Sequence, residues 1–98
     1  MKPHSPLTLE EFRHAQNNIL GAAIRTPLVP LNVALADTEI YLKLENLQPI
    51  GSFKLRGAIN AMRSADPKKL EAGVWTASMG NMAQGVAWGA REMGVKAT

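Results

Sequence analysis

The residues best suited to covalent chemistry lie in one short run, residues 51–58, with a lysine at its centre. Lys54 follows small residues and Phe53, and it stands at the start of a helical pattern. The positive end of a helix dipole disfavours an ammonium group and so favours the neutral, nucleophilic amine. Partial burial beside Phe53 would act in the same direction, and a lysine in that state can form a Schiff base. The same spacing also fits a lysine that merely begins a helix with its charge in solvent.

A second polar segment, residues 76–85, follows further along the chain. Ser78, Gly80 and Asn81 lie where a short apolar run gives way to a helical pattern. A turn of this kind presents free backbone N–H groups to an anion. The alternative is that Ser78 and Asn81 simply cap the helix that follows.

These two segments, taken together and in this order, resemble those of the pyridoxal-phosphate (PLP) enzymes of fold type II. Residues 43–58, KLENLQPIGSFKLRGA, are similar to the cofactor-lysine segment of the threonine/serine dehydratase and serine racemase branch. Residues 76–85, TASMGNMAQG, resemble the loop that binds the substrate carboxylate in that branch. Cysteine and threonine synthases carry an acidic residue directly after the lysine, whereas this chain has Leu55 and Arg56. The resemblance extends from about Thr26 to the end of the chain.

The resemblance implies a role for each residue of the two segments. Lys54 would bind PLP covalently and would then act as the base that removes the α-proton of the substrate. Phe53 would contact the cofactor, and Asn81 would contact the cofactor's phenolic oxygen. The set implied to bind the substrate is Ser78, Gly80, Asn81 and Met82.

Two methionines depart from the pattern of the family. Met79 stands where serine racemases carry a serine that protonates the opposite face, and a thioether has no proton to give, so racemisation is disfavoured. Met82 replaces a histidine that is common in this loop, which removes a donor near the substrate carboxylate. Flexible methionines could admit a hydroxyamino acid bulkier than threonine. Equally, Met82 could simply pack inward on its helix.

The function implied is that of a PLP-dependent ammonia-lyase, which converts a small hydroxy-amino acid into a 2-oxo acid and ammonia. The alternatives are another fold-type II enzyme, such as a serine racemase or a β-replacing synthase, and a non-catalytic fragment. The glycine-rich phosphate loop of the family does not occur in these 98 residues. We therefore expect the isolated chain to be inactive, and we expect the full-length enzyme to be a homo-oligomer, a dimer or a tetramer.

The predicted fold class is α/β: the N-terminal part of a fold-type II enzyme (tryptophan synthase β-like), with a mostly parallel sheet and flanking helices, incomplete here. Residues 1–98 are expected to form a single partial PLP-binding domain, with residues 1–7 as a disordered lead-in. The predicted helices are residues 9–20, 52–63 and 81–93, with a short one near 68–71. The predicted strands are residues 39–45 and 73–77, and the second of them is expected to be buried.

Particular side chains support these elements. Thr8 and Glu11 have the spacing of a capping box, and Leu9 and Phe12 begin an apolar face with Ile19 and Ala23. The apolar stripe of the lysine helix is Leu55, Ala58, Ile59 and Met62, and that of the last helix is Met82, Val86, Ala90 and Met93. Trp75 and Trp88 are expected at a core or an interface.

Composition excludes several other classes of function. The net charge is only +3, and the basic residues are scattered, which does not favour nucleic-acid binding. There is no cysteine, and no apolar run approaches membrane-spanning length, so we expect no membrane association and a cytoplasmic location. His4 and His14 have no partner at metal-ligand spacing, so we expect no metal site.

Overall fold

The structure, a computed structural model, describes residues 4–35 and 37–98 and is elongated, about 54 Å by 31 Å by 27 Å. Residues 4–7 are exposed and form no helix or strand, and the rest of the predicted lead-in lies outside the described residues. The elements, in chain order, are α1 Leu9–Asn18, β1 Leu28–Pro30, β2 Tyr41–Lys43, a 3₁₀ turn Glu45–Leu47, α2 Lys54–Ser64, α3 Pro67–Leu70 and α4 Asn81–Met93.

The first helix begins with the predicted capping box. The Glu11 backbone N–H donates to Thr8 Oγ1 over 3.2 Å, and the Thr8 N–H donates back to Glu11 Oε2 over 2.7 Å. These hydrogen bonds from the Thr8 backbone and hydroxyl lower the pKa of Glu11. The predicted inward face is wrong at its start, because Leu9 and Phe12 are 64% and 59% exposed. Near its own end, helix α1 is hydrogen-bonded to α2 through Asn18.

The sheet pairing follows the connections between its strands. Strands β1 and β2 are joined by a loop and pair antiparallel, with Val29 opposite Leu42. Among the described residues, the only parallel pairing is a bridge between Val74 and Ala97, which flank α4. A strand–helix–strand connection places its strands parallel. The parallel sheet predicted from the sequence is thus represented here by this single bridge.

The predicted strand over residues 73–77 is reduced to that bridge, and the prediction that it is buried is wrong for Trp75, which is 82% exposed. Gly73 makes the bridge possible. Its φ of +90° suits glycine alone, and a Cβ there would lie 2.8 Å from the Lys96 carbonyl oxygen. Only a glycine at position 73 therefore allows this segment to come so close to the Lys96 backbone.

The core lies between α2, α4 and the segment that directly follows α1. Helix α2 buries the whole predicted stripe, Leu55, Ala58, Ile59 and Met62. On α4, Ala90 is buried as predicted, while Met82, Val86 and Met93 are half-buried. Trp88 packs against the core, as expected. These contacts show that the lysine helix is held mainly by the last helix.

Two glycines allow α4 to approach α2 closely. A Cβ on Gly85 would lie 3.2 Å from the Cβ of Ala58, and one on Gly89 would lie 2.9 Å from Ile59 Cδ1. The earlier glycine of α4 thus lies beside the earlier residue of α2, and the later glycine lies beside the later residue. The two helices run parallel, and their N-termini lie at the same end of the pair.

Candidate active site

Lys54 occupies the first position of α2, two residues later than the predicted start of that helix. Its side chain is half-buried, and Nζ lies 5.3 Å from the centroid of the Phe53 ring, within the range of a cation–π contact. Phe53 itself is 59% exposed, so its ring is available to a further partner. The lysine and the aromatic ring thus share one face at the start of the helix.

The loop before α4 places the other predicted residues in solvent. Ser78, Gly80 and Asn81 are exposed, and Asn81 is the first residue of α4. The Gly80 N–H donates to Ser78 Oγ over 3.3 Å, and no side chain caps α4. The alternative in which Ser78 and Asn81 only cap the helix is therefore not observed. The first N–H groups of α4 have no side-chain cap, as an anion site requires.

The packing of α4 on α2 brings the two segments together. The position of a Cβ on Gly85 is 3.5 Å from the Lys54 carbonyl oxygen. Asn81 lies one turn before Gly85, about 6 Å along the helix axis. The lysine and the loop thus lie at the common N-terminal end of both helices, where two helix dipoles favour an anionic ligand.

Met82 is the predicted site residue that the structure places elsewhere. It is half-buried and lines an apolar cleft of about 290 Å³ together with Trp75 and the α2 residues Ala58 and Ala61. This is a packing position on α4, whereas the neighbouring Met79 is fully exposed on the loop. The role of Met82 in substrate binding stays a prediction.

The feature that sequence reasoning missed is a partly buried polar network behind the lysine. The guanidinium of Arg56 forms a bidentate ion pair with the Glu45 carboxylate, at 2.7 Å and 3.0 Å. Thr26 Oγ1 and Gln48 Nε2 donate to the same carboxylate over 2.8 Å and 3.1 Å. Glu45 was not among the predicted residues. A glutamate and an arginine on either side of Lys54 could have indicated an ion pair.

This network lowers the pKa of Glu45 from 4.5 to about 2, chiefly through the hydrogen bonds from Arg56, against an opposing effect of burial. A carboxylate with a depressed pKa stabilises the fold fully above about pH 4.5, and that stabilisation is lost as the pH falls towards 2. We expect urea denaturation to show a loss on the order of 2 kcal/mol over this range. Glu45→Gln should remove the pH dependence of stability that Glu45 causes, and only the smaller one caused by Glu11 should remain. Identical pH profiles for the two proteins would contradict the assignment.

Two other kinds of site are not found in the part of the chain that the structure describes. No group of three or more acidic, histidine or cysteine side chains could hold a metal ion within residues 4–35 and 37–98. Over the same residues, none of the helices has the length and apolar character needed to span a bilayer.

Comparison with known proteins identifies the family. A family model described as pyridoxal-phosphate-dependent enzyme matches residues 19–98, and the chain belongs to that family. The L-threonine ammonia-lyase of Thermotoga maritima is 45% identical over 94 residues, which cover 94% of this chain and 23% of that protein. The serine racemase of Dictyostelium discoideum is 39% identical over 98 residues, 98% of this chain and 30% of that protein.

A solved structure agrees with these sequence matches. Maize serine racemase superposes with a TM-score of 0.84 at 34% identity, covering 91% of this chain and 29% of that one. The expected fold type II is confirmed, and the enzymes of this family depend on PLP. The chain spans less than a third of the length of these relatives.

The residues present fit the cofactor of this family. Lys54 offers the primary amine that an aldehyde requires, beside an exposed aromatic ring. Two residues before it, Ser52 Oγ is buried and has no hydrogen-bond partner among the described residues. A buried hydroxyl without a partner is costly unless another polar group is supplied. Lys54, Phe53 and Asn81 would hold PLP here, with Ser52 nearby.

Proposed function

We propose that the protein carrying this chain is an ammonia-lyase that acts on a β-hydroxy-α-amino acid such as threonine or serine. The observation that supports this most directly is the shared position of Lys54 and the Ser78–Asn81 loop at the N-terminal end of α2 and α4. The similarity to the L-threonine ammonia-lyase of Thermotoga maritima points to the same reaction. Overall, the Cα–H and Cβ–OH bonds break with loss of water, and hydrolysis then releases ammonia and a 2-oxo acid.

In this proposal each residue of the site has a separate role. The Lys54 amine accepts the α-proton, because it lies beside the carbon that must lose it. The uncapped N-termini of α2 and α4 orient the substrate carboxylate, with Ser78 and Asn81 as side-chain partners. Phe53 shields the reacting face from water. When bound, PLP supplies the electron sink that makes the α-proton acidic.

A serine racemase is the strongest alternative, because the chain also resembles the racemase of Dictyostelium discoideum. Racemisation needs a proton donor on the face opposite the lysine, and Met79 stands at the matching position with a thioether that carries no proton. Leu55 similarly replaces the acidic residue of the β-replacing synthases. These two residues favour elimination over the other reactions of the family.

A chimaera tests the proposal directly. This chain would replace the matching segment of the Thermotoga maritima enzyme, and the products formed from L-threonine and L-serine would be measured. We expect 2-oxo acid and ammonia with little D-serine, and Met79→Ser should raise D-serine formation roughly 100-fold, the usual effect of a positioned proton donor. A folded chimaera that binds PLP but makes mainly D-serine, or no 2-oxo acid, would overturn the proposal.

A further inference from the structure

The end of α2 that carries Lys54 is not fixed by its own sequence. The residue preceding the helix, Phe53, has helical backbone angles, and no side chain caps the helix. Ser52 is the usual type of capping residue, but its hydroxyl makes no hydrogen bond among the described residues. An uncapped first turn frays readily. Something else must therefore hold Lys54 in one place.

Arg56 supplies that restraint from the opposite side of the helix. Successive helical residues are turned by about 100°, so Arg56 projects roughly 200° away from Lys54. Its guanidinium donates to both Glu45 oxygens and, over 3.1 Å, to the Ile24 carbonyl. A planar fork held at several points resists rotation of the helix about its axis. Arg56 can thus fix the direction of Lys54 while its own side chain lies on the other side of the helix.

Glu45 is itself held on several sides, which makes it a rigid anchor. Thr26 and Gln48, both only 3% exposed, each donate to its carboxylate. Gln48 also exchanges two hydrogen bonds with the backbone of Ile24, at 2.8 Å and 3.0 Å. Three separate stretches of chain, before β1, after β2 and in α2, therefore meet at one carboxylate.

We infer that Glu45 and Arg56 are positioning residues: their ion pair fixes the first turn of α2 so that the Lys54 amine meets the cofactor in one orientation. This inference rests on the proposed function, since it presupposes that Lys54 is the cofactor lysine. The ion pair touches neither cofactor nor substrate, and its effect passes through the backbone of α2. A shift of about 1 Å at a reacting group can cost roughly 100-fold in rate, so such a restraint has a measurable effect.

The chain offers a matched control at the other end of the same helix. Arg63 Nη1 donates to the Asn18 and Leu20 carbonyls, each over 2.8 Å, so it too ties α2 to a distant segment. Arg56→Lys and Arg63→Lys both keep the charge and lose the guanidinium fork. Both are expected to lower the free energy of unfolding. Only Arg56→Lys should disturb Lys54.

The test treats each purified chain with PLP, reduces it with borohydride, and measures by mass spectrometry how much label lies on each lysine. We expect Arg56→Lys to lower the fraction of Lys54 side chains that carry label at least roughly tenfold, and Arg63→Lys to leave that fraction unchanged; label on the introduced lysine is counted separately. Denaturant titration shows whether the two variants have lost similar stability. If Arg56→Lys fails to fold, Thr26→Val, which removes one donor to Glu45, should give a smaller loss in the same direction.

The outcomes separate the two proposals. Equal labelling of Lys54 in Arg56→Lys, Arg63→Lys and the parent chain would overturn the positioning role while leaving the proposed function intact. In the folded chimaera with the Thermotoga maritima enzyme, which contains the rest of the cofactor site, an absence of label on Lys54 would overturn both.

Discussion

Replacing Lys54 by alanine is expected to remove the preferred site at which borohydride fixes PLP on this chain, leaving only the weaker label on exposed lysines. In the chimaera with the Thermotoga maritima enzyme, the same change should lower elimination by roughly 10³-fold or more, because both the covalent partner and the base are lost. The fold should survive, since alanine is a better helix former than lysine and Lys54 is only half-buried. Mass spectrometry of the reduced chain and an ammonia assay measure the two effects.

Lys68→Ala is the matched control for this change. Lys68 is exposed on the short helix α3, away from the helix end that carries Lys54. Its loss should leave both the label on Lys54 and the rate of elimination within about twofold of the parent. Substantial elimination by Lys54→Ala, at parent stability, would show that another residue serves as the base.

Gly85→Leu is expected to have the largest effect on the fold itself. A Cβ at this position already lies 3.2 Å from the Ala58 Cβ, which cannot move without moving the α2 backbone. The remaining leucine atoms would force α4 away from α2, at a cost of about 3 kcal/mol or more. Because the Lys54 carbonyl lies 3.5 Å from the same point, we expect the preferential labelling of Lys54 to be lost as well. Urea denaturation and the borohydride experiment measure these effects.

Gly57→Ala, a substitution in the other helix of the pair, is expected to stabilise the fold instead. Gly57 lies inside α2, and a Cβ there would meet no atom within 4 Å. The substitution should therefore stabilise the chain by up to about 1 kcal/mol through helix propensity alone. The effect of Gly85→Ala on stability should lie between those of Gly85→Leu and Gly57→Ala, because its contact with Ala58 opposes the same gain in helix propensity. A destabilising Gly57→Ala, or a neutral Gly85→Leu, would contradict the close packing described here.

Local sequence patterns were sufficient to predict most of the helical structure. Residues 81–93 were predicted as a helix and form α4, and the buried stripe of α2 is the predicted one. The capping box of Thr8 and Glu11 was also predicted. These features depend on neighbours three or four positions apart, so a short stretch of sequence contains the whole interaction.

Tertiary packing determines which side chains are covered and which segments of the chain lie together. The pattern that placed Leu9, Phe12 and Trp75 on apolar faces contains no information about whether another element covers those faces, and here they are exposed. The placement of Lys54 and the Asn81 loop at the same end of the helix pair depends on close packing of α4 on α2 at Gly85. The ion pair of Glu45 with Arg56 joins residues that no local period relates, because the chain must first fold back through a turn. Contacts of this kind arise from packing in three dimensions, which local patterns do not encode.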